Sequence, residues 1–398
     1  MKKLVYFSGA VLALTGLAAC NETGTTPDLD ANDDRYAAIA ETFVNETVIP
    51  TYKYLADDTA ELVDRLEAFA GNKSQQALDA ACEVFLTSRA YWEKSEAFLF
   101  GAATAFGIDP HIDSWPLDQT ALERLLASET IISSLAGEGG DAYAGDQLGN
   151  ALLGFHGIEF ILFRNGDNRT YTDITDTELT YAIAVAGDLR NRCAELYISW
   201  SGNESYKLYD YVANDLELNL VIEGSGNYYG EDMLKAGNAG SSYASQSLVM
   251  QAICDGCITI ADEVATQKIG RPYNGTTEED IAYIESPYSH KSIQDFYDNM
   301  VSIKNVYYGG LDAESMGASA DSYDRTNSLH AWFQETDPDF DARMTAAIDK
   351  ALAEINGDGT GMVKPFVNNR QDASVGEAIE AISALNEVLI EAKGRFTE

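Results

Sequence analysis

Long stretches of this chain place apolar residues three and four positions apart, and no stretch alternates in the manner of a strand. Leu55, Thr59, Leu62, Leu66 and Phe69 step by four and three, the spacing that lines up side chains on one face of a helix. Helical patterns recur near 118–136, 176–200, 243–268, 291–308, 337–356 and 372–394, with "DARMTAAIDKALAEI" and "SVGEAIEAISALNEVLIEA" as clear cases. A striped helix has to bury its stripe, and helix packing on helix is the way an all-helical chain does so. The sequence therefore predicts an all-α protein. Roughly four long helices fall on each side of a segment rich in glycine, tyrosine and asparagine at 204–242. That count predicts two similar four-helix bundle domains packed side by side, over 33–203 and 204–398. Pro50 interrupts the first pattern and predicts a kink or a fresh start there.

The N-terminus is expected to stand apart from the fold. "MKKLVYFSGAVLALTGLAAC" has two lysines, an apolar run of signal-peptide length and small residues before Cys20. Its ending looks like a bacterial lipobox. Residues 1–20 then form a lipoprotein signal peptide, Cys20 is the lipidation site, and 21–32 form a polar tether. No later apolar run approaches the length of a membrane span. The expectation is a protein of the bacterial cell envelope anchored through lipid, on the periplasmic face of the outer membrane or at the cell surface. A formal net charge of −38 repels nucleic acid and draws cations towards the surface. A solubility or salt adaptation spread over the whole surface is the expected cause of that charge, which does not by itself establish cation binding. Cys82, Cys193, Cys254 and Cys257 remain after lipidation. "CDGC" lacks the βαβ surroundings of a redox pair, so a structural disulfide or two buried thiols is expected.

The chemistry concentrates in "ALLGFHGIEFILF", Ala151 to Phe163, where His156 and Glu159 are the only ionisable groups. Three positions on a helix turn the chain by about 60° relative to a full circle, so the two share a face. A helix apolar all round is normally buried, and a buried carboxylate needs a partner or a proton. Gly154 and Gly157 remove bulk beside the imidazole. A second anomaly runs through the helix that Ser74 is expected to cap. Its seam is Leu78, Cys82, Phe85, Arg89, Trp92, Glu96 and Leu99, which carries two charges. Asp113 and Trp115 lie in the loop "GIDPHIDSWPLD". Imidazole with carboxylates suits a metal ion, and in helical bundles such ligands come from inward-facing positions. Glu96 and Asp113 are candidates to join His156 and Glu159 in such a set. His111 and His290 can reach such a site, and His330 is expected at the surface. Two other readings stand beside this one. One is a metallopeptidase, although HExxH is absent and HGIE supplies at most two zinc ligands. The other is a helical ligand-capture or adaptor lipoprotein in which His156 and Glu159 are only a structural pair. No P-loop, nucleophile elbow or dinucleotide fingerprint is present.

Several segments together resemble the imelysin-like proteins of bacterial envelopes. "GFHGIEF" resembles their GxHxxE motif, "SRAYWEKSEAFLFG" their WxxxEAFxFG segment and "IDSWPLD" their D-x-WP loop. "SPYSHKSIQDFYDNMVSIKNVYYG" resembles a stretch of their second half. The resemblance covers roughly 36–395. It implies an all-helical fold of two similar bundles, a site at their interface and an association with iron uptake. It also implies an earlier classification as metallopeptidases on the strength of HxxE. Carried over by motif, the site holds Glu96, Asp113, His156 and Glu159 as metal ligands. Trp115, Gly154, Ser289 and Tyr308 would be ligand-binding, with Tyr307 beside the last. Trp92 is expected to pack the bundle, and Arg89 to balance a buried carboxylate. The expected ligand is a metal ion or small metal chelate, iron first and zinc second, passed to an unknown uptake transporter.

Overall fold

The structure is a computed structural model that describes residues 32–311 and 326–396. Cys20, the signal peptide and the tether lie outside the described residues, apart from Asn32. The regular structure of the described chain is almost all helix. Its only strands form a hairpin, β1 (Phe163–Arg164) against β2 (Asp167–Asn168).

Helix α1 (Asp33–Thr42) runs through a π-helical turn, Phe43–Val48, into α2 (Ile49–Gly71). Pro50 sits in the first turn of α2, where its missing N–H costs nothing. The wider π turn just before it is where the pattern break is absorbed. Helix α3 (Gln75–Glu93) starts at Ser74, whose hydroxyl accepts from Ala77 N at 3.2 Å. It stops at Glu93 rather than continuing to Gly101. A 3-10 turn, Glu96–Phe98, follows, so Glu96 is presented by that turn and not by the helix. The stretch near 118–136 is likewise two helices, Gln119–Leu126 and Glu129–Leu135. Asp118 caps the first and Ser128 the second, and an N-cap within an apolar pattern starts a new helix.

Helix α4 (Gly154–Leu162) is buried along its whole length. Helix α5 (Asp176–Ser201) opens on a capping box between Thr175 and Glu178. In the first half α2 packs along α3 and α5, and α4 fits between α3 and α5. In the second half α6 (Gln246–Glu263), α7 (Ser292–Tyr308), α8 (Pro338–Asn356) and α9 (Ala373–Gly394) pack as a closed ring, α6 on α7 and α9, α8 on α7 and α9. The halves meet where α7 lies on α3, and where α6 and α7 cover the Glu96–Phe98 turn. Helix α1 crosses to the second half. Its Tyr36 sets its ring edge-on to Trp332 and Phe396 at 5.8 and 5.3 Å. Cys82, Cys193, Cys254 and Cys257 are all buried free thiols.

Candidate metal centre

Charged side chains gather where the halves meet. Arg89 and Glu93 come from the last turns of α3, one helical step apart, and Glu96 from the turn after it. Asp113 is the residue that ends the short helix Ile108–Ile112. His156 and Glu159 come from α4. Lys268 closes the π-helical turn Val264–Lys268 that follows α6. Glu285 and Ser289 lie in the loop before α7, and Asp295 in the first turn of α7. All are buried.

Gly154 explains how α4 reaches this place. Its φ is +66°, and a Cβ there would lie 1.8 Å from the Ile112 carbonyl oxygen. Only glycine lets the start of α4 press against the backbone that carries Asp113. At Gly157 a Cβ would meet the Tyr181 hydroxyl at 2.3 Å, and that hydroxyl donates to Leu152 O at 2.7 Å.

Arg89 is the hub. It pairs with Asp113 and Glu93, and donates to Glu285 Oε1 at 2.5 Å, with Asp295 at 3.9 Å. Trp92 Nε1 donates to the other oxygen of Asp113 at 2.7 Å, so this tryptophan orients a carboxylate as well as packing. Lys268 lies 3.4, 3.3 and 3.2 Å from Glu93, Glu96 and Glu285. The imidazole of His156 is held between two acids, with Nε2 3.1 Å from Asp113 and Nδ1 3.6 Å from Glu159. Glu159 Oε1 accepts from Tyr288 N, Ser289 N and Ser289 Oγ at 3.1, 2.8 and 2.7 Å.

Burial alone would push the Asp113 carboxyl up, but the Arg89 charge and then His156 hold it well below the ordinary range. Burial works against protonated His156, yet its contacts with Asp113 and Glu159 raise its pKa to about 9. Burial raises Glu93 and Glu96 well above ordinary carboxyls, against the pull of Arg89 and Lys268. It also lifts Asp295 to about 7. Six carboxylates (Glu93, Glu96, Asp113, Glu159, Glu285, Asp295) therefore face two fixed cations and one imidazole. Full ionisation would leave surplus negative charge in a dry place, so the cluster must hold protons or a further cation.

The donor set fits a metal ion. Asp113, His156 and Glu285 each offer a ligand atom within 4.8 Å of the others, and Glu93, Glu96 and Asp113 form a second such group. Glu285 Oε2 is buried without a hydrogen-bond partner, and His156 Nε2 faces the Asp113 carboxylate at 3.1 Å. Of the four ligands expected from sequence, Asp113 and His156 stand together. Glu96 falls in the second group, on the Lys268 side. Glu159 supports the other imidazole nitrogen and is fixed by Ser289, whose polar groups are thereby spoken for. Trp115 closes the margin, with its ring 6.3 Å from that of His156, 5.3 Å from that of Tyr283 and over the Lys268 ammonium at 5.3 Å.

Tyr308 is not at the site. It ends α7, thirteen residues beyond Asp295, about 20 Å along the helix, and its ring contacts Tyr307 and His330. Tyr307 donates to Asp341 at 2.7 Å. His111 turns away to Asp188 at 2.8 Å. His330 is only partly exposed, with Nδ1 2.7 Å from Asp341. His290 lies on the far side of the loop, over Gly166. Sequence reasoning passed over Glu93, Lys268, Glu285 and Asp295. Glu93 lies four residues after Arg89, a spacing that signals pairing on a helix. Lys268, Glu285 and Asp295 are brought in by tertiary packing and carry no local signal.

The chain is 26% identical over 267 residues to iron-regulated protein A of Synechococcus elongatus, a match covering 67% of this chain. The matched region spans 63% of that relative's length. The crystal structure of an iron-regulated protein A precursor from Parabacteroides distasonis superposes with a TM-score of 0.75 at 29% identity, over 93% of this chain and 97% of that one. An imelysin-like protein from Psychrobacter arcticum shares the fold, with a TM-score of 0.62 at 14% identity over 92% and 98% of the two chains. The profile of the Imelysin family matches residues 48–391, and the chain belongs to that family.

Proposed function

We propose that this is a lipid-anchored envelope protein that binds a metal ion, iron first and zinc second, between its helical halves and serves its uptake. The observation that carries the reading is the buried surplus of carboxylates around His156, with Glu285 Oε2 lacking a hydrogen-bond partner. Asp113, His156 and Glu285 would hold the ion, and Glu159 would fix the imidazole through its second nitrogen. Glu93 and Glu96 would supply further negative charge. The name of the Synechococcus relative is in keeping with iron. Binding would displace the proton from His156, because a ligating imidazole must be neutral.

The test is elemental analysis and calorimetry on protein stripped with chelator and then titrated with ferrous, ferric or zinc ion. Wild-type protein should retain metal after desalting, and the His156→Ala, Glu159→Ala double variant should not. Equal metal content in the two proteins overturns the assignment. Separately, a Cys20→Ser variant should leave the membrane fraction and appear soluble.

A further inference from the structure

A cleft of about 640 Å³ opens beside the β1–β2 hairpin, among Gln119, Glu123, Phe160, Arg164, Tyr288 and His290. It lies on the other side of the loop that caps Glu159. Its notable member is Arg164. The guanidinium carbon stands 4.1 Å from the centroid of the Phe160 ring and 5.6 Å from that of Tyr288. Among the described residues it makes no ion pair or side-chain hydrogen bond. Arg169, five residues on, shows the contrast, since its guanidinium bonds Glu178, Ile161 O and Asp173 O. In a chain with formal net charge −38, a half-buried arginine without a carboxylate is unusual. Burial, and then Arg169, lower its hold on its proton, against the pull of Tyr288, Glu178 and Glu159.

Phe160 and Tyr288, whose rings stand nearly perpendicular at 5.0 Å, both lie to one side of the Arg164 guanidinium, and its N–H groups are left as free donors. The edge they form matches a carboxylate held through two parallel bonds. The surroundings are preorganised. Gly166 N donates to Tyr288 O at 2.9 Å, tying the hairpin to the loop. Gly166, at φ +91°, leaves room for the His290 imidazole, whose Nδ1 would lie 2.5 Å from any Cβ there. His290 itself is held at φ +58°, and neither of its ring nitrogens has a hydrogen-bond partner among the described residues. Phe160, Tyr288 and Val367 supply apolar wall. Glu123 stands on the rim, engaged by Gln119 Nε2 at 3.1 Å, and would repel a second negative group. Carboxylates elsewhere on the surface are screened beyond about 8 Å at physiological salt.

We propose that this cleft is a binding site for a small organic monocarboxylate with an apolar or aromatic body. The carboxylate docks on the Arg164 edge, with His290 as second donor, and the body lies against Tyr288 and Val367. The site shares no ligand with the buried acidic cluster and does not depend on a metal there.

Benzoate is the probe, with citrate and sulfate as comparisons, titrated by calorimetry into the full mature chain stripped of metal. Saturable benzoate binding in the millimolar range or tighter is expected. Arg164→Gln should weaken it at least tenfold, and Arg164→Lys should restore part of the loss. Citrate and sulfate should bind more weakly than benzoate. Because Arg164 has no polar partner to lose, the variants should keep the wild-type circular dichroism and unfolding temperature. No saturable benzoate binding, equal binding by the folded Arg164→Gln variant, or sulfate binding as tightly as benzoate would each overturn the proposal. The His156→Ala variant, which leaves Glu159 holding the Tyr288–Ser289 backbone, is expected to bind benzoate as wild type does, which separates this test from that of the metal centre.

Discussion

Replacing Arg89 by Met tests whether the buried cluster is a charge balance or merely close packing. Met keeps most of the side-chain volume but removes the charge that Asp113, Glu93, Glu285 and Asp295 share. Arg89 is 2% exposed, so solvent cannot take over its role. Removing one partner from a buried ion pair costs about 3–5 kcal/mol. With unfolding entropy near 2 cal/mol/K per residue, a 398-residue chain that unfolds in one step would melt roughly 4–6 °C lower. The loss should also depend on pH. Asp295 already titrates at about 7 and Glu93 above its ordinary value, while Arg89 pulls both down. Without Arg89 their folded pKa values rise further above the unfolded ones. Carboxyls so raised favour the fold at low pH and lose that contribution as pH rises through the folded value. The deficit of the variant should therefore be small at pH 5 and full at pH 8. Calorimetric melting of both proteins at the two pH values reads this directly. A deficit equal at pH 5 and pH 8, or none at either, would refute the electrostatic account of the cluster.

Other positions give independent checks. Glu195 is buried, and burial outweighs Arg192 to bring its pKa to about 7; its raised value favours the fold at low pH, and that contribution fades between about pH 4.5 and 7. Glu195→Gln should flatten the fall in melting temperature over that window, removing up to about 3 kcal/mol of pH dependence. Gly154→Ala should lower stability by more than about 2 kcal/mol in urea unfolding, since both its φ and its contact with Ile112 O resist a side chain. It should also weaken metal retention, because the strain falls on the backbone next to Asp113. Ser289→Ala removes one of three hydrogen bonds to Glu159 Oε1. It should cost about 1 kcal/mol, leaving Glu159 held by the two backbone N–H groups.

The long helices were legible because their stripes are long. Over about six or seven turns, as in Asp176–Ser201 and Ala373–Gly394, apolar spacing outweighs any local exception. The sequence pattern failed where a short polar signal cut a stripe. Ser128 starts a second helix in the middle of an apolar pattern, and α3 gives way after Glu93 to a 3-10 turn that aims Glu96 across the seam. His156 and Asp113 were legible for a different reason, since a charge within an apolar context has to be accounted for. Glu285 and Lys268 sit in mixed, polar surroundings along the chain, and only packing buries them. Tyr308 was misplaced because a motif carried along a helix says nothing of distance. It shares α7 with Asp295 but lies at the other end.

Several strong polar contacts cross the seam. Arg89 meets Glu285, Lys268 meets Glu93 and Glu96, and Ser289 meets Glu159. Asn299 donates to Glu93 Oε2 at 2.6 Å, and Ala97 N donates to Ser302 Oγ at 3.1 Å. The same carboxylates that join the halves are those a metal ion would use. An ion held by Asp113, His156 and Glu285 would draw two ligands from the first half and one from the second, in competition with Arg89. Loading such an ion must therefore shift Arg89, release protons, or both, and each alters the contacts across the seam. Binding and the union of the halves are then linked, and linkage is reciprocal. Since His156 holds its proton up to about pH 9, a fall in pH would strengthen the proton as competitor and favour release of the ion. Protons would thus provide a physical means of discharging such a site, whose residues are otherwise sealed from water.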